Sequence, residues 1–194
     1  MIKETEVLRQ LAWKYYEIAN SSKNKENIKL HRAVNNLRQI RPVVLIDELP
    51  WHEMNINDEL TLLCEDPYLR SIEWFFRTNL YRHKYFPADM VVPPFVPVNK
   101  VIETSGVGIE VEENILPTDE DNHIVAHQFM DVLATEDDLA MMHNQVVTYN
   151  KTETMERYNK VGEILGDIIP VKLVGVGYYA FAPWDQISRY RGVT

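Results

Sequence analysis

Apolar positions recur at three- and four-residue spacing in several parts of the chain, which is the period of a helix with one buried face. In the first such segment the pattern runs through Leu8, Leu11 and Tyr15. Asp66 and Pro67 together are typical of a helix start, because an acidic cap is followed by proline at the first helical position. The predicted helices cover residues 2–19, 26–38, 67–84 and 152–165, with a polar loop over 20–27.

Short apolar runs separate these helices and predict strands. Residues 43–46 are four consecutive apolar residues after a proline, which is typical of a strand buried on both faces. Residues 88–98 and 170–177 predict two further core strands. Residues 107–112 alternate between apolar and polar, and we expect them to form one arm of a β-hairpin that returns through 123–129. This order of elements predicts an α/β fold with parallel strands.

Polar residues with chemical potential follow the first predicted strand directly. They are Asp47, Glu48 and His52, with Trp51 and Glu53 beside them. In α/β folds the carboxyl ends of parallel strands carry the binding and catalytic groups. We therefore take Asp47, Glu48 and His52 as candidate catalytic or polar substrate-contacting residues. The alternative is a surface turn in which an acidic residue caps a neighbouring element.

Aromatic residues follow the predicted core strands as well, and a barrel would gather them at one end. Aromatic walls with a few acids suit a large, flat or partly cationic ligand. The alternative is ordinary packing over the end of the core. The candidate substrate-binding residues are Trp51, Phe95, Tyr178, Tyr179 and Trp184.

Composition narrows the class of protein further. A net charge of −9 argues against a nucleic-acid surface, which needs a basic stripe. The single cysteine, Cys64, excludes an intramolecular disulfide and is expected to be buried. Without an apolar leader or a membrane-length apolar run, we expect a cytoplasmic protein with no membrane association. His123 and His127 lack the glutamate of a metalloprotease helix, so structural histidines are favoured over metal ligands.

Taken together, several blocks of the sequence resemble the N-terminal half of the uroporphyrinogen decarboxylase superfamily. Residues 31–38 leading into 41–46 are similar to its opening helix and first barrel strand. Residues 86–92 followed by 106–110 resemble its second strand and the hairpin after it, and 169–175 resemble its third strand. The superfamily also contains zinc-dependent methyltransferases that move methyl groups between corrinoid proteins and thiols.

The resemblance implies the N-terminal portion of a (β/α)8 TIM barrel, with N-terminal helices and an inserted β-hairpin. Residues 1–26 would form an N-terminal helix and linker, and 27–194 a partial barrel with about three core strands. A whole barrel usually needs about 250 residues. We therefore expect the sequence to be a fragment of a longer protein.

Departures from the family pattern decide between its activities. The decarboxylases follow the first strand with an arginine-bearing loop that grips the substrate carboxylates, whereas this chain has Asp47, Glu48 and Trp51 there. They also place an aspartate at the end of the second strand, where this chain has Phe95 and Val96. An acid would repel a polycarboxylate. The resemblance therefore favours corrinoid-dependent methyl transfer over porphyrinogen decarboxylation.

The cofactor expected from the resemblance lies outside this chain. The methyltransferase branch holds zinc through a His-x-Cys pair and a later cysteine, in the second half of the barrel. We therefore expect no metal ligand here, and zinc and a corrinoid partner only for the complete protein. The substrate would be a small molecule or a corrinoid protein.

Two alternatives to methyl transfer remain, a carboxy-lyase and a non-catalytic binding or regulatory half-barrel. The partial barrel would form a homodimer or pair with a barrel-completing chain.

Overall fold

A computed structural model describes residues 2–116, 125–175 and 182–192 of the chain. It is a mixed α/β protein that divides into two compact units. The first unit contains Met1–Val98 and Thr154–Val174, and the second contains Asn99–Glu153 and Gly175–Thr194. The helices are α1 (Ile2–Asn20), α2 (Ser22–Asn35), α3 (Pro67–Tyr85), α4 (Glu136–Ala140), α5 (Lys151–Leu165) and α6 (Pro183–Arg191). The strands are β1 (Val96–Asn99), β2 (Val101–Thr104), β3 (Glu113–Leu116), β4 (Ala126–Phe129), β5 (Val147–Asn150) and β6 (Val171–Val174).

Helix caps explain where two helices of the first unit begin. The Asp66 side chain accepts hydrogen bonds from the backbone N–H groups of Tyr68 at 3.0 Å and Leu69 at 2.9 Å, which confirms the predicted start of α3. The Ser21 hydroxyl accepts from Asn24 N–H at 3.1 Å, so α2 begins at Ser22. The predicted loop over 20–27 is therefore wrong, because serine here acts as a helix cap.

One apolar core holds the first unit together. Its helical members come from α1, α3 and α5, and its strand members from β1. Burial of these side chains is the main source of stability for such a unit. Cys64 is fully buried, as expected from the sequence. The most deeply buried members include Leu8, Ala12, Tyr15, Phe76, Val96, Val98, Val161 and Leu165.

The second and third predicted core strands are present in shortened form. β1 lies within the predicted segment 88–98, apart from its last residue, and β6 lies within 170–177. The two strands pair with each other, and Val96 N–H donates to the carbonyl oxygen of Pro170 next to the sheet. The prolines of the 88–98 segment explain why the paired part is short, since each lacks a backbone donor.

The predicted central strand over 43–46 is wrong for this chain. The segment has no regular secondary structure, and Val44 and Leu45 are 56% and 58% exposed. Val44 exchanges hydrogen bonds with Asp89 instead of pairing with a strand: Asp89 N–H donates to Val44 O, and Val44 N–H donates to the Asp89 carboxylate, both at 3.0 Å. A short apolar run becomes a buried strand only where neighbouring strands cover it.

Both sheets of the second unit are antiparallel, as expected for the predicted β-hairpin, whereas the pair formed by β2 and β5 was not predicted from the sequence. β2 pairs with β5, and Ile102 lies opposite Tyr149. β3 and β4 form the predicted β-hairpin, but its first arm is Glu113–Leu116 and not 107–112. Gly108 explains the shift: its φ is +89°, and a Cβ there would lie 2.6 Å from the carbonyl oxygen of Met141. An extended strand cannot continue through this backbone conformation.

The short helix α4 begins with a reciprocal cap. The Thr135 hydroxyl accepts from Asp138 N–H, and the Asp138 carboxylate accepts from Thr135 N–H at 2.8 Å. The sequence itself predicts this helix start, because a Thr135 hydroxyl and an Asp138 carboxylate three residues apart match a capping box with Asp in place of Glu, and the structure confirms it. Among the described helices, none combines the length and apolar character needed to cross a membrane.

Candidate functional site

A short 3-10 turn, Trp51–Glu53, organises the segment that follows residues 43–46. Trp51 N–H donates to Leu49 O and Glu53 N–H donates to Pro50 O, both at 2.8 Å. Proline has a fixed φ and no backbone donor, so Pro50 suits the position before such a turn. The turn directs the half-buried Trp51 towards α3.

Two aromatic side chains of α3 hold the Trp51 indole. Trp74 and Tyr81 lie edge-to-face against it, with ring centroids 5.9 Å and 6.2 Å away. Positions seven apart on a helix lie on nearly the same face, so α3 presents both rings to one neighbour. Such edge-to-face pairs contribute more to stability than the burial of their surface area alone. Trp51 is therefore fixed in orientation, although it lies outside the long helices.

Arg82 links Trp51 to Asp47, and we call Asp47, Trp51, Trp74, Tyr81 and Arg82 the Arg82 cluster. The guanidinium carbon lies 5.7 Å from the centroid of the Trp51 ring, within the range of a cation–π contact. Arg82 Nη1 lies 3.1 Å from Asp47 Oδ1, and Nη2 donates to Asp47 O at 3.3 Å. The Asp47 side chain is 79% exposed. The cluster combines an exposed acid, a cation and aromatic faces.

The other candidate residues have separate surroundings. Glu48 is exposed, and His52 Nε2 lies 3.4 Å from the carboxylate of Glu53. Phe95 is half-buried, and Lys172 Nζ lies 4.5 Å from its ring centroid. Trp184 is exposed near the start of α6, in the second unit. Tyr178 and Tyr179 lie outside the described residues. Within the first unit, Asp47 and Trp51 are the candidates that share the Arg82 cluster.

An ion pair between Arg41 and Asp89 holds the start of the irregular segment that contains Asp47 and Trp51. Arg41 Nη1 and Nη2 each contact one Asp89 carboxylate oxygen at 2.6 Å, which is a bidentate pair. The Arg41 guanidinium, together with Val44 N–H, holds the pKa of Asp89 far below its usual value. His31 Nε2 lies 2.8 Å from Asp89 O. Residues 41–44 are thereby attached to the segment that leads into β1.

A surface cleft of about 540 Å³ lies between α1 and α3. Tyr81 lines it and also contacts Trp51, so the cleft adjoins the Arg82 cluster. Its Lys84 is bound to Glu59 at 2.5 Å, and burial lowers the pKa of its His83. Apolar side chains of Leu11, Ile18 and Leu80 complete the wall. The cleft is large enough for a small molecule.

The described residues do not fit a zinc site. No group of three or more His, Cys, Asp and Glu side chains comes together among them. Burial, reinforced by the Glu73 carboxylate, raises the pKa of the Cys64 thiol to about 12, so it stays protonated at neutral pH. A thiol ligand must lose its proton to bind zinc. His127 contacts Glu113 at 3.0 Å and stacks on Phe129, which is a structural environment; His123 lies outside the described residues.

Arg82 is the residue that sequence reasoning missed. It belongs to a basic run at the end of α3, Arg82-His83-Lys84, which favourable interaction with the helix dipole explains by itself. Its partner, Asp47, is distant in the sequence and lies in an irregular segment. The sequence shows Arg82 directly after Tyr81, which makes it a candidate for an aromatic contact. No local pattern identifies Asp47 as its partner.

Comparisons with protein-family models, with curated proteins and with solved structures found no match to this chain.

Proposed function

We propose that this chain is the N-terminal part of a uroporphyrinogen-decarboxylase-like barrel that takes part in methyl transfer with a corrinoid protein or a methylated small molecule. The observation that supports the barrel is the backbone hydrogen bond from Asp89 N–H to Val44 O at 3.0 Å; the return bond from Val44 N–H goes to the Asp89 side chain. Neighbouring strands of a parallel sheet are joined by backbone contacts between the two segments. Residues 43–46 would become the first strand once further strands are present.

The exposed apolar side chains of Val44, Leu45 and Ile46, which we call the 44–46 strip, support the same proposal. Three consecutive exposed apolar residues are unfavourable in water, at about 25 cal/mol per Å² of surface. A barrel strand buries both of its faces, one towards the barrel interior and one towards the surrounding helices. The strip would then be covered by parts of the barrel that this chain lacks.

The substrate contacts that we propose follow the first strand. Asp47, Glu48 and His52 would supply polar contacts, and Trp51 would supply an aromatic wall. Phe95, Tyr178, Tyr179 and Trp184 would complete that wall in the barrel. The support for this assignment is that Asp47 and Trp51 share one cluster with Arg82.

Zinc, when bound in the second half of such a barrel, would activate a thiol for methyl transfer. The described residues do not fit a zinc site, so this chain's own part would be binding and orientation. Positioning a methyl group against a thiolate contributes to the rate by converting a bimolecular encounter into a preorganised one.

The test is a methyl-transfer assay on the complete protein expressed from its natural gene. The purified protein, supplied with zinc, is mixed with methylcobalamin and a small thiol, and loss of the methyl–cobalt bond is followed by absorbance. We expect turnover. The KM for at least one of the two substrates, methylcobalamin or the thiol, should be higher in Asp47→Asn than in the exposed control Asp137→Asn. Decarboxylation of uroporphyrinogen by the same preparation, with no demethylation of methylcobalamin, would overturn the proposal.

A carboxy-lyase activity is the second candidate, and Arg82 is the observation that favours it. The sequence alone suggests a purely acidic loop after the first strand, whereas Arg82 places a guanidinium 3.1 Å from Asp47. Guanidinium groups bind carboxylates in a bidentate manner. Release of carbon dioxide from a small carboxylic acid would identify this activity.

A further inference from the structure

Arg82 is bonded less completely than Arg9 and Arg41, which also hold carboxylates in the first unit. Arg9 contacts both oxygens of Asp167 at 2.7 Å, and Arg41 contacts both oxygens of Asp89 at 2.6 Å. Arg82, by contrast, has one carboxylate contact at 3.1 Å and one longer bond to a backbone carbonyl. The guanidinium of Arg82 therefore retains hydrogen-bonding capacity.

The incomplete bonding of Arg82 has a cost in free energy at its Nε atom. This atom is buried and has no hydrogen-bond partner among the described residues. Buried donors in folded proteins are nearly always paired, because an unpaired donor has lost its water without compensation. Because Nε is buried, an incoming acceptor meets the Nη groups, and the unpaired Nε leaves the guanidinium charge less compensated than that of a fully bonded arginine.

Asp47 is a weak competitor for this position. Its side chain is 79% exposed and lies in a segment without regular secondary structure. Exposed single-contact ion pairs contribute little to stability, so a ligand oxyanion can replace the Asp47 carboxylate at small cost. The Asp47 carboxylate thus marks where a ligand's negative group would sit.

The aromatic rings beside Arg82 define the rest of the ligand. Trp51 covers one side of the guanidinium, and Trp74, which is partly exposed, lies edge-to-face against Trp51. Rings of this kind bind flat, unsaturated groups through stacked or edge-to-face contacts. A ligand that combines an oxyanion with a flat ring matches both features of the cluster.

We infer that the Arg82 cluster binds a small planar ligand through its carboxylate or phosphate group, which replaces the Asp47 carboxylate on Arg82 while its ring packs against Trp51 and Trp74. The inference does not rest on methyl transfer, because it follows from the contacts of Arg82 alone, although Asp47 and Trp51 belong to both proposed sites. Asp47 acts in it as an internal competitor, and this role distinguishes it from an ordinary substrate contact.

The test is a fluorescence titration of the 194-residue chain with benzoate and, separately, with phenyl phosphate, in a buffer free of both anions. Trp51 and Trp74 report on the cluster when the exposed Trp13 and Trp184 are both replaced by phenylalanine in every chain that is titrated. Asp47→Asn removes the competing charge and should tighten binding about two- to fivefold. Arg82→Met should weaken binding about tenfold or more. Arg38→Met is the matched control, because Arg38 is exposed and its loss removes the same charge.

Circular dichroism establishes that each variant is folded, and Arg82→Lys replaces Arg82→Met if the latter unfolds. Lysine keeps the charge but lacks the planar fork, so it should also weaken binding. Saturation with benzoate alone identifies a carboxylate ligand, saturation with phenyl phosphate alone identifies a phosphate ligand, and saturation with both supports the shared site. Absence of saturation with either probe, failure of Asp47→Asn to tighten binding, or equal weakening in Arg38→Met would overturn the inference.

Discussion

Asn24 offers a sharp test of how α2 holds the segment that leads into β1. Its side-chain amide donates to Val92 O at 2.8 Å and accepts from Val92 N–H at 2.8 Å, so it pairs with Val92 as a neighbouring strand would. The amide also donates to Ala19 O at 2.7 Å. Asn24 is 4% exposed and Val92 1% exposed. In the unmodified chain these groups are therefore shielded from water.

The magnitude follows from the groups that Asn24→Ala leaves behind. The N–H and C=O groups of Val92 would each be buried without this partner, at about 1–3 kcal/mol apiece. Alanine regains about 0.5 kcal/mol of helix propensity. We therefore expect the free energy of unfolding to fall by about 1.5–5.5 kcal/mol, which is a large part of the stability of a unit this size.

Urea unfolding, followed by circular dichroism, measures this change through the midpoint at constant m-value. The matched control is Asn35→Ala, since Asn35 is exposed at the end of the same helix, and its free energy of unfolding should change by less than about 0.5 kcal/mol. The reasoning is refuted if Asn24→Ala unfolds within about 0.5 kcal/mol of the unmodified chain.

Further predictions concern a buried carboxylate, an ion pair and the 44–46 strip. Burial alone raises the pKa of the fully buried Glu73, but N–H donors from Cys64 and Leu63 and the Arg77 guanidinium outweigh it and lower the pKa. Glu73→Leu strands these donors and should cost about 3–5 kcal/mol in urea unfolding, whereas exposed Glu6→Gln should cost almost nothing. Because the pKa of Asp89 is lowered in the folded state, its stabilising contribution is complete above the ordinary aspartate pKa of about 3.9 and is lost as the pH falls below it. Unfolding curves of Asp89→Asn and the unmodified chain should therefore converge on acidification, and curves that stay parallel would contradict this. Leu45→Asp should reduce concentration-dependent self-association in light scattering without loss of stability, because Leu45 is exposed; a monodisperse unmodified chain would instead favour the non-catalytic half-barrel.

Local sequence signals were sufficient to predict most of the helices. Asp66 and Pro67 specify the start of α3 through groups within a few residues of each other, and Thr135 and Asp138 do the same for α4. Such caps depend on backbone donors that the same short segment supplies. Helix starts of this kind can therefore be predicted without knowledge of the rest of the fold.

Predictions that depended on distant partners were less successful. Residues 43–46 have the composition of a buried strand, but in this chain Val44 bonds to Asp89 and the strip stays exposed. The pairing of Asp47 with Arg82 joins residues far apart in sequence, and a basic residue at a helix end gives no indication of such a partner. The position of β3 depended on the backbone conformation of Gly108, which only its contact with the Met141 segment explains.

Whether residues 43–46 form the first strand of a barrel is tested most directly by hydrogen–deuterium exchange on the protein expressed from its natural gene, compared with the 194-residue chain. The proposal predicts slow exchange of the amides of 43–46 in the former, close to that of the β1 amides, and fast exchange in the 194-residue chain. Fast exchange of these amides in both proteins would contradict the barrel, and with it the proposed site at the end of its first strand.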